Sequence, residues 1–90
     1  MENKKTQKIE LTCIYDKKAG IYQGVTAVIN NAVAIRSFAD ACQDEKSLLN
    51  KHAEDYDLVN LGSMEVETGK IEGKPNPVVL ANATQFKKQN

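Results

Sequence analysis

The sequence predicts a small α+β domain, in which an antiparallel sheet of about four to five strands carries one main α-helix on a face. Two observations predict it. Extended segments with alternating apolar residues lie before and after a single segment with helical spacing. Turn-forming residues also separate consecutive extended segments closely enough for hairpins. With 90 residues, the chain has the length of one domain with one modest core.

The first predicted strand covers residues 8–15. Its alternating apolar residues share one side, which we interpret as the core-facing side: Ile9, Leu11, Cys13 and Tyr15. Glu10 and Thr12 point the other way, and Ile14 between them indicates that this second side is partly covered. Residues 16–20 have the composition of a turn, because Asp bonds its own backbone and Gly supplies a positive φ. Extended residues 21–29 follow, which predicts a hairpin.

The main helix is predicted at residues 32–42, with Asn30 or Asn31 as its N-cap. Its apolar residues recur at helical spacing and form one face: Ala32, Ile35, Phe38, Ala39 and Cys42. Arg36 lies on the opposite side. The helix is therefore expected to pack on the sheet by one face and to leave Arg36 in solvent.

The second half of the chain predicts another hairpin. Residues 44–55 form a polar connection with one helical turn at 46–49, and a strand follows at 56–61. Gly62 then indicates a bulge or bend. Residues 64–72 alternate on either side of a Thr-Gly turn, as in a hairpin.

The last segment contains two prolines at positions 75 and 77, so residues 73–77 are predicted to be a rigid linker. Residues 78–80 would form a short edge or closing strand. The domain organisation is then a flexible arm at residues 1–7, one domain at 8–86, and a basic tail at 87–90.

No pattern in the sequence predicts catalysis. The single histidine, His52, lies in a polar connection without a second metal-binding partner nearby, and nucleotide-binding glycine motifs are absent. Cys13 and Cys42 are interpreted as reduced core thiols. We therefore predict a protein that is not an enzyme and needs no cofactor or metal. No apolar run is long enough to span a bilayer, and the start lacks a signal-peptide pattern, so residence in the cytosol without a membrane partner is expected.

Charge is unevenly distributed although the total is zero. Residues 1–39 carry a balance of +3, residues 40–72 one of −6, and residues 73–90 one of +3. The basic ends would form an anion-binding face if they met in space, and the same pattern also allows head-to-tail association. Near the ends, aromatic residues accompany the lysines, as in proteins on which unpaired bases stack. Tyr15 and Tyr22 could instead pack in the core with only one end of each ring exposed to water, and the sequence leaves this alternative open.

Four stretches in this order carry a resemblance to a known family: residues 15–20, 34–40, 50–56, and Leu61-Gly62 with 68–70. The sequence resembles the small non-structural protein of gokushoviruses, which are microviruses of bacteria with single-stranded circular DNA. The resemblance implies a phage protein of the host bacterial cytoplasm that binds single-stranded DNA in the switch from genome replication to single-strand synthesis and packaging. It assigns no DNA-contacting residue.

Two functional hypotheses follow. In the first, a homodimer binds single-stranded DNA. Basic residues would neutralise phosphates and two aromatic residues would stack on bases: Lys17, Lys18, Arg36, Lys87 and Lys88, with Tyr22 and Phe86. In the second, the acidic segment 44–72 docks on a phage replication or assembly protein or on a host protein. Dimerisation is expected because a domain of this size has a small core.

Overall fold

The computed structural model describes residues 7–87, which form a four-stranded antiparallel sheet with one main helix. The strands are β1 (Lys8–Asp16), β2 (Ile21–Val28), β3 (Tyr56–Glu65) and β4 (Ile71–Asn82), in the spatial order β2-β1-β3-β4. The helices are α1 (Asn31–Gln43) and the single turn α2 (Leu48–Lys51), and 3-10 turns occupy Ala53–Asp55 and Ala83–Gln85. The predicted architecture is confirmed, with four strands.

Helix α1 starts where the sequence predicted, and the face that it packs overlaps the predicted one in part: Phe38 and Cys42 are buried and Ile35 is half-buried, whereas Ala32 is exposed. The Asn30 side chain accepts a hydrogen bond from the Val33 backbone N–H at 2.9 Å, which satisfies one of the free donors of the first turn. The helix buries Ala34, Phe38 and Cys42. These side chains belong to a core completed by residues of β3, β4 and the 3-10 turns: Ala53, Tyr56, Leu58, Ala81 and Ala83.

The helix covers the face of β1 opposite to the one interpreted as core-facing. Ile14 packs against the core, and its β3 partner Leu58 is one of the core residues. Because neighbouring residues of a strand point to opposite faces, the side chains of Cys13 and Tyr15 lie on the other face. The prediction was wrong because β3 is apolar on both faces, so the alternation in β1 did not decide which face the helix covers. We call the face away from α1 the open face.

Strand β4 includes the segment predicted to be a linker. It runs without interruption from Ile71 to Asn82 at the edge of the sheet. The register passes from the pair Gly62 and Gly73 to the pair Asn60 and Val78, so residues 74–77 bulge out of the ladder. Proline is tolerated in this position, because an edge strand does not need every N–H as a donor. The linker prediction was wrong, and the predicted edge strand at 78–80 is one part of a longer one.

The last residue of the predicted arm, Gln7, contacts the domain. The Gln7 carbonyl accepts a hydrogen bond from the Val66 N–H at 3.0 Å, so Gln7 continues the contacts of β1. Residues 1–6 of the arm and 88–90 of the tail, with Lys88, lie outside the described residues.

Both cysteines are buried, and this predicts low thiol reactivity. Burial raises the pKa of the Cys13 and Cys42 thiols above their ordinary value of 9.0. Since the thiolate is the reactive form, we expect the folded protein at pH 8 to react with Ellman's reagent about 100-fold more slowly than the same protein in urea. Equal rates in both conditions would contradict the burial.

Because folding raises both pKa values, the free energy of unfolding should also fall as the pH rises beyond 9.

Candidate nucleic-acid interface

The turn between β1 and β2 is a rigid structure that presents Lys18 to solvent. The Asp16 carboxylate accepts hydrogen bonds from the backbone N–H groups of Lys18 at 3.0 Å and Ala19 at 3.1 Å. Gly20 closes the turn with φ of +74°, a conformation that glycine adopts without strain. The Lys17 N–H also donates to the Asp55 carbonyl at 2.8 Å. The tip is thereby attached to the start of β3.

Lys17 is ion-paired within the chain. Its Nζ lies 3.6 Å from Asp57 Oδ1, and the Asp57 carboxylate is almost completely buried. The Asn82 Nδ2 donates to the same carboxylate oxygen at 2.8 Å. A largely buried carboxylate needs such partners, because removal from water disfavours its charge. Lys17 therefore neutralises Asp57, and this chain of contacts joins the tip of the first hairpin to the end of β4.

Tyr22 lies on the open face beside this tip. Its ring stacks on that of Tyr15, its cross-strand partner, with a centroid distance of 4.3 Å and an angle of 28° between the planes. The residue stays 49% exposed. The two tyrosines are not part of the core under α1, so the alternative of core packing is not what the fold adopts for Tyr22. A base can reach its exposed ring.

Phe86 occupies a different environment from the one predicted. Its ring makes an edge-to-face contact with Phe38 at a centroid distance of 6.1 Å, and it packs against the core as a half-buried residue. Its role is therefore to fix the C-terminal segment on the domain. Lys87 follows it and is exposed.

Arg36 is separated from the tyrosines. It is exposed on α1, which lies on one face of the sheet, whereas Tyr22 lies on the open face. Lys17, Lys18 and Tyr22 come together at one end of the sheet, where β1 ends, β3 begins and β4 ends. We call this the hairpin end. Lys87 is exposed directly after Phe86, which packs on the α1 side of the sheet, and no contact joins it to the other three residues. Sequence reasoning missed Asp57 and Asn82, which connect these segments; a carboxylate within an apolar strand was the available signal for Asp57.

A cleft of about 390 Å³ opens at the hairpin end. Its lining includes two carboxylates besides one lysine and the histidine: Asp16, Lys18, Ala19, His52, Asp55 and Tyr56. Burial raises the pKa of the Tyr56 hydroxyl, and the negative charges of Asp16 and Asp55 raise it further. Such a mixed lining gives no net attraction for a phosphate inside the cleft. At this end of the sheet, the exposed lysines outside the cleft would contact a phosphate instead.

The acidic segment 44–72 does not form one surface. Asp44, Glu45 and Glu54 precede β3 and the hairpin end, whereas Glu67 follows the other end of β3 and Glu72 pairs with Ser63 near that end. The ten residues of β3 separate the two groups by about 30 Å, at roughly 3.3 Å per residue.

No three His, Cys, Asp or Glu side chains of residues 7–87 come together in a way that could hold a metal ion. In the same part of the chain, no helix is both long and apolar enough to cross a membrane.

The fold and this interface define a small two-layer α+β protein, in which the helices of residues 7–87 pack on one face of the sheet. The model of the family described as phage ORF5 protein matches residues 9–86. The chain therefore belongs to the phage ORF5 protein family. No curated protein and no solved structure matches it.

Proposed function

We propose that this phage protein is a non-enzymatic single-stranded-DNA-binding protein that contacts DNA with the hairpin end of its sheet. It would act in the cytoplasm of the bacterial host, in the switch from genome replication to single-strand synthesis and packaging, as the resemblance to the gokushovirus protein implies. Membership of a phage family supports the biological setting. The geometry of the hairpin end supports the type of ligand.

The observation that carries this proposal is a rigid basic hairpin tip beside an exposed aromatic ring. The contacts of Asp57 with Lys17 and Asn82 fix the hairpin tip against the end of β4, so that the exposed Lys18 is held at the same end of the sheet as Tyr22. Single-strand binding combines this pair of features, positive charge for the backbone and an aromatic surface for a base.

The same geometry assigns different tasks to the predicted residues. Lys18 and Lys87 are free to contact phosphates, whereas the Lys17 charge is balanced by Asp57. Tyr22 is the stacking residue, with Tyr15 behind it. Because the chain has no net charge, affinity should be modest and should fall steeply with salt.

The test is fluorescence anisotropy of a labelled oligo(dT) across a salt series. Lys18→Glu should weaken binding and reduce the slope of log affinity against log salt by about 0.7, the value for one phosphate contact on a single strand. Tyr22→Ala should weaken binding about 5- to 150-fold with the salt slope unchanged, since a lost base stack is worth about 1–3 kcal/mol.

Lys70→Glu is the matched control. Lys70 is an exposed lysine of the turn between β3 and β4, at the opposite end of the sheet. Equal losses of affinity for Lys18→Glu and Lys70→Glu would show that the attraction is unspecific and would reject the hairpin end as the site.

Absence of binding by the wild-type protein at low salt would reject DNA as the ligand and favour the alternative, a phage replication or assembly protein or a host protein. That alternative is less favoured here because its predicted acidic contact surface is divided between two ends of the sheet.

A further inference from the structure

We propose that the open face of the sheet is a homodimer interface, in which a second copy of this chain packs sheet on sheet across its centre and the end away from the hairpin tip. The interface would leave the hairpin end accessible. It is independent of what the hairpin end binds, because none of its central residues is a proposed DNA contact.

The open face is apolar across all four strands. The register places on it the residues that alternate with those under α1: Ile9, Leu11, Cys13, Ala27, Val59, Met64, Ile71 and Val79. On β4, Val79 is 60% and Ile71 is 61% exposed. In residues 7–87, the buried apolar side chains of α1, Ala34, Phe38 and Cys42, belong to the core on the opposite face. Cys13 and Val59, at the centre of the face, are only 2% exposed, so the accessible apolar surface is that of the side chains around them. An exposed apolar patch of this kind on a monomer marks an interaction site.

The core under α1 is small, and this supports a second layer on the open face. Among the described residues, four of the eight members of that core are alanines: Ala34, Ala53, Ala81 and Ala83. A chain of this length has little core to stabilise it alone, and association is one of the ways in which small domains gain buried apolar area.

The dimensions fit a dimer. Four strands at about 4.8 Å spacing and eight residues at about 3.3 Å give a plan area on the order of 500 Å². Each partner of a specific interface buries roughly 600–1,000 Å², so the contact would also take in the exposed side chains at the edge of the face, such as Ile71 and Val79. Two such faces would pack about 10 Å apart, as the layers of a β-sandwich do.

The charges favour a copy of the same chain as the occupant. Among the residues that the strand register places on the open face, the charged one is Asp57, at the hairpin end, and Lys17 neutralises it within the chain. A face without free charge gives a charged partner nothing to recognise, whereas two copies can meet about a two-fold axis without opposing like charges. Aliphatic surface of this kind is typical of homodimer interfaces. Covering the hairpin end as well would remove the Lys17–Asp57 pair from water at a cost, so the interface is centred on Leu11 and on the exposed Val79.

The test is sedimentation equilibrium of the purified chain without DNA, at about 100 µM, above the micromolar Kd that the weaker interfaces of this size show. The wild-type protein should have twice the chain mass of 9.9 kDa. Val79→Lys should sediment as a monomer with an unchanged circular dichroism spectrum, because this exposed side chain has no role in the monomer core and a lysine would be desolvated in the interface.

Val78→Lys is the matched control, since the preceding valine is also exposed, at 46%, but pairs with Asn60 and points to the face that carries α1. It should remain a dimer. A monomeric wild-type chain at this concentration, a dimeric Val79→Lys variant, or equal dissociation of both variants would overturn the proposal. If the monomeric Val79→Lys variant still binds DNA, the dimer interface and the proposed DNA site are independent of each other.

Discussion

Replacing Gly62 with alanine is expected to lower the free energy of unfolding by about 4 kcal/mol, a large part of the stability of a small domain. Gly62 has φ of +147°, where a side chain is strained. A Cβ at this position would collide with the Glu72 carbonyl oxygen of β4 and would lie 2.9 Å from Gly73 Cα. These are backbone atoms, so β4 would have to move away from β3. Urea unfolding followed by circular dichroism measures the loss.

Gly69→Ala separates the collision from the backbone strain. Gly69 also has a positive φ, +76°, but a Cβ there would meet no atom within 4 Å. Its replacement should cost only about 1–2 kcal/mol, the usual penalty of a left-handed conformation for an L-residue. If the two alanine variants were equally stable, close approach of the two strands at Gly62 would not be the cause of the effect.

Replacing Asn60 with alanine is expected to cost about 3 kcal/mol, since buried groups that lose their partners are expensive. Asn60 is almost fully buried in β3. Its Nδ2 donates to Asn31 Oδ1 at 2.7 Å and to Glu10 Oε1 at 2.9 Å, and its Oδ1 accepts from the Gly62 N–H at 2.9 Å. One side chain therefore joins β1, the start of α1 and the bulge of β3. Thermal and urea unfolding measure the loss.

Asn50→Ala is the control for this prediction. Asn50 is half-buried and donates one bond, to the Cys42 carbonyl at 2.8 Å, so the expected loss is about 1 kcal/mol. A loss for Asn60→Ala no larger than that of Asn50→Ala would mean that the network around Asn60 relaxes or is satisfied by water.

Local patterns determined the elements of this protein. The cap at Asn30 and the 3.6-residue spacing after it place α1, and the hydrogen-bonding capacity of Asp16 with the freedom of Gly20 places the first turn. These features could be predicted because each depends on residues within a few positions of one another. The predicted bulge at Gly62 is confirmed for the same reason, as a local conformation that glycine permits.

Pairings between distant residues were decided by the tertiary structure. Prolines 75 and 77 predict a linker by themselves, yet the chain there remains the edge strand because β3 binds the residues on both sides of it. The helix covers the Ile14 face because the core residues of β3 and β4 point to that side, which the alternation of β1 does not encode.

The candidate site divides in the same way. The sequence alone determined that Lys17, Lys18 and Tyr22 surround one hairpin, because a short turn keeps its neighbours together. Only the fold decided that Asp57 neutralises Lys17, that Phe86 packs on Phe38, and that Arg36 lies on the opposite face from Tyr22. Each of these depends on which faces and ends of the sheet come together, and that is fixed by the burial of apolar area over the whole chain.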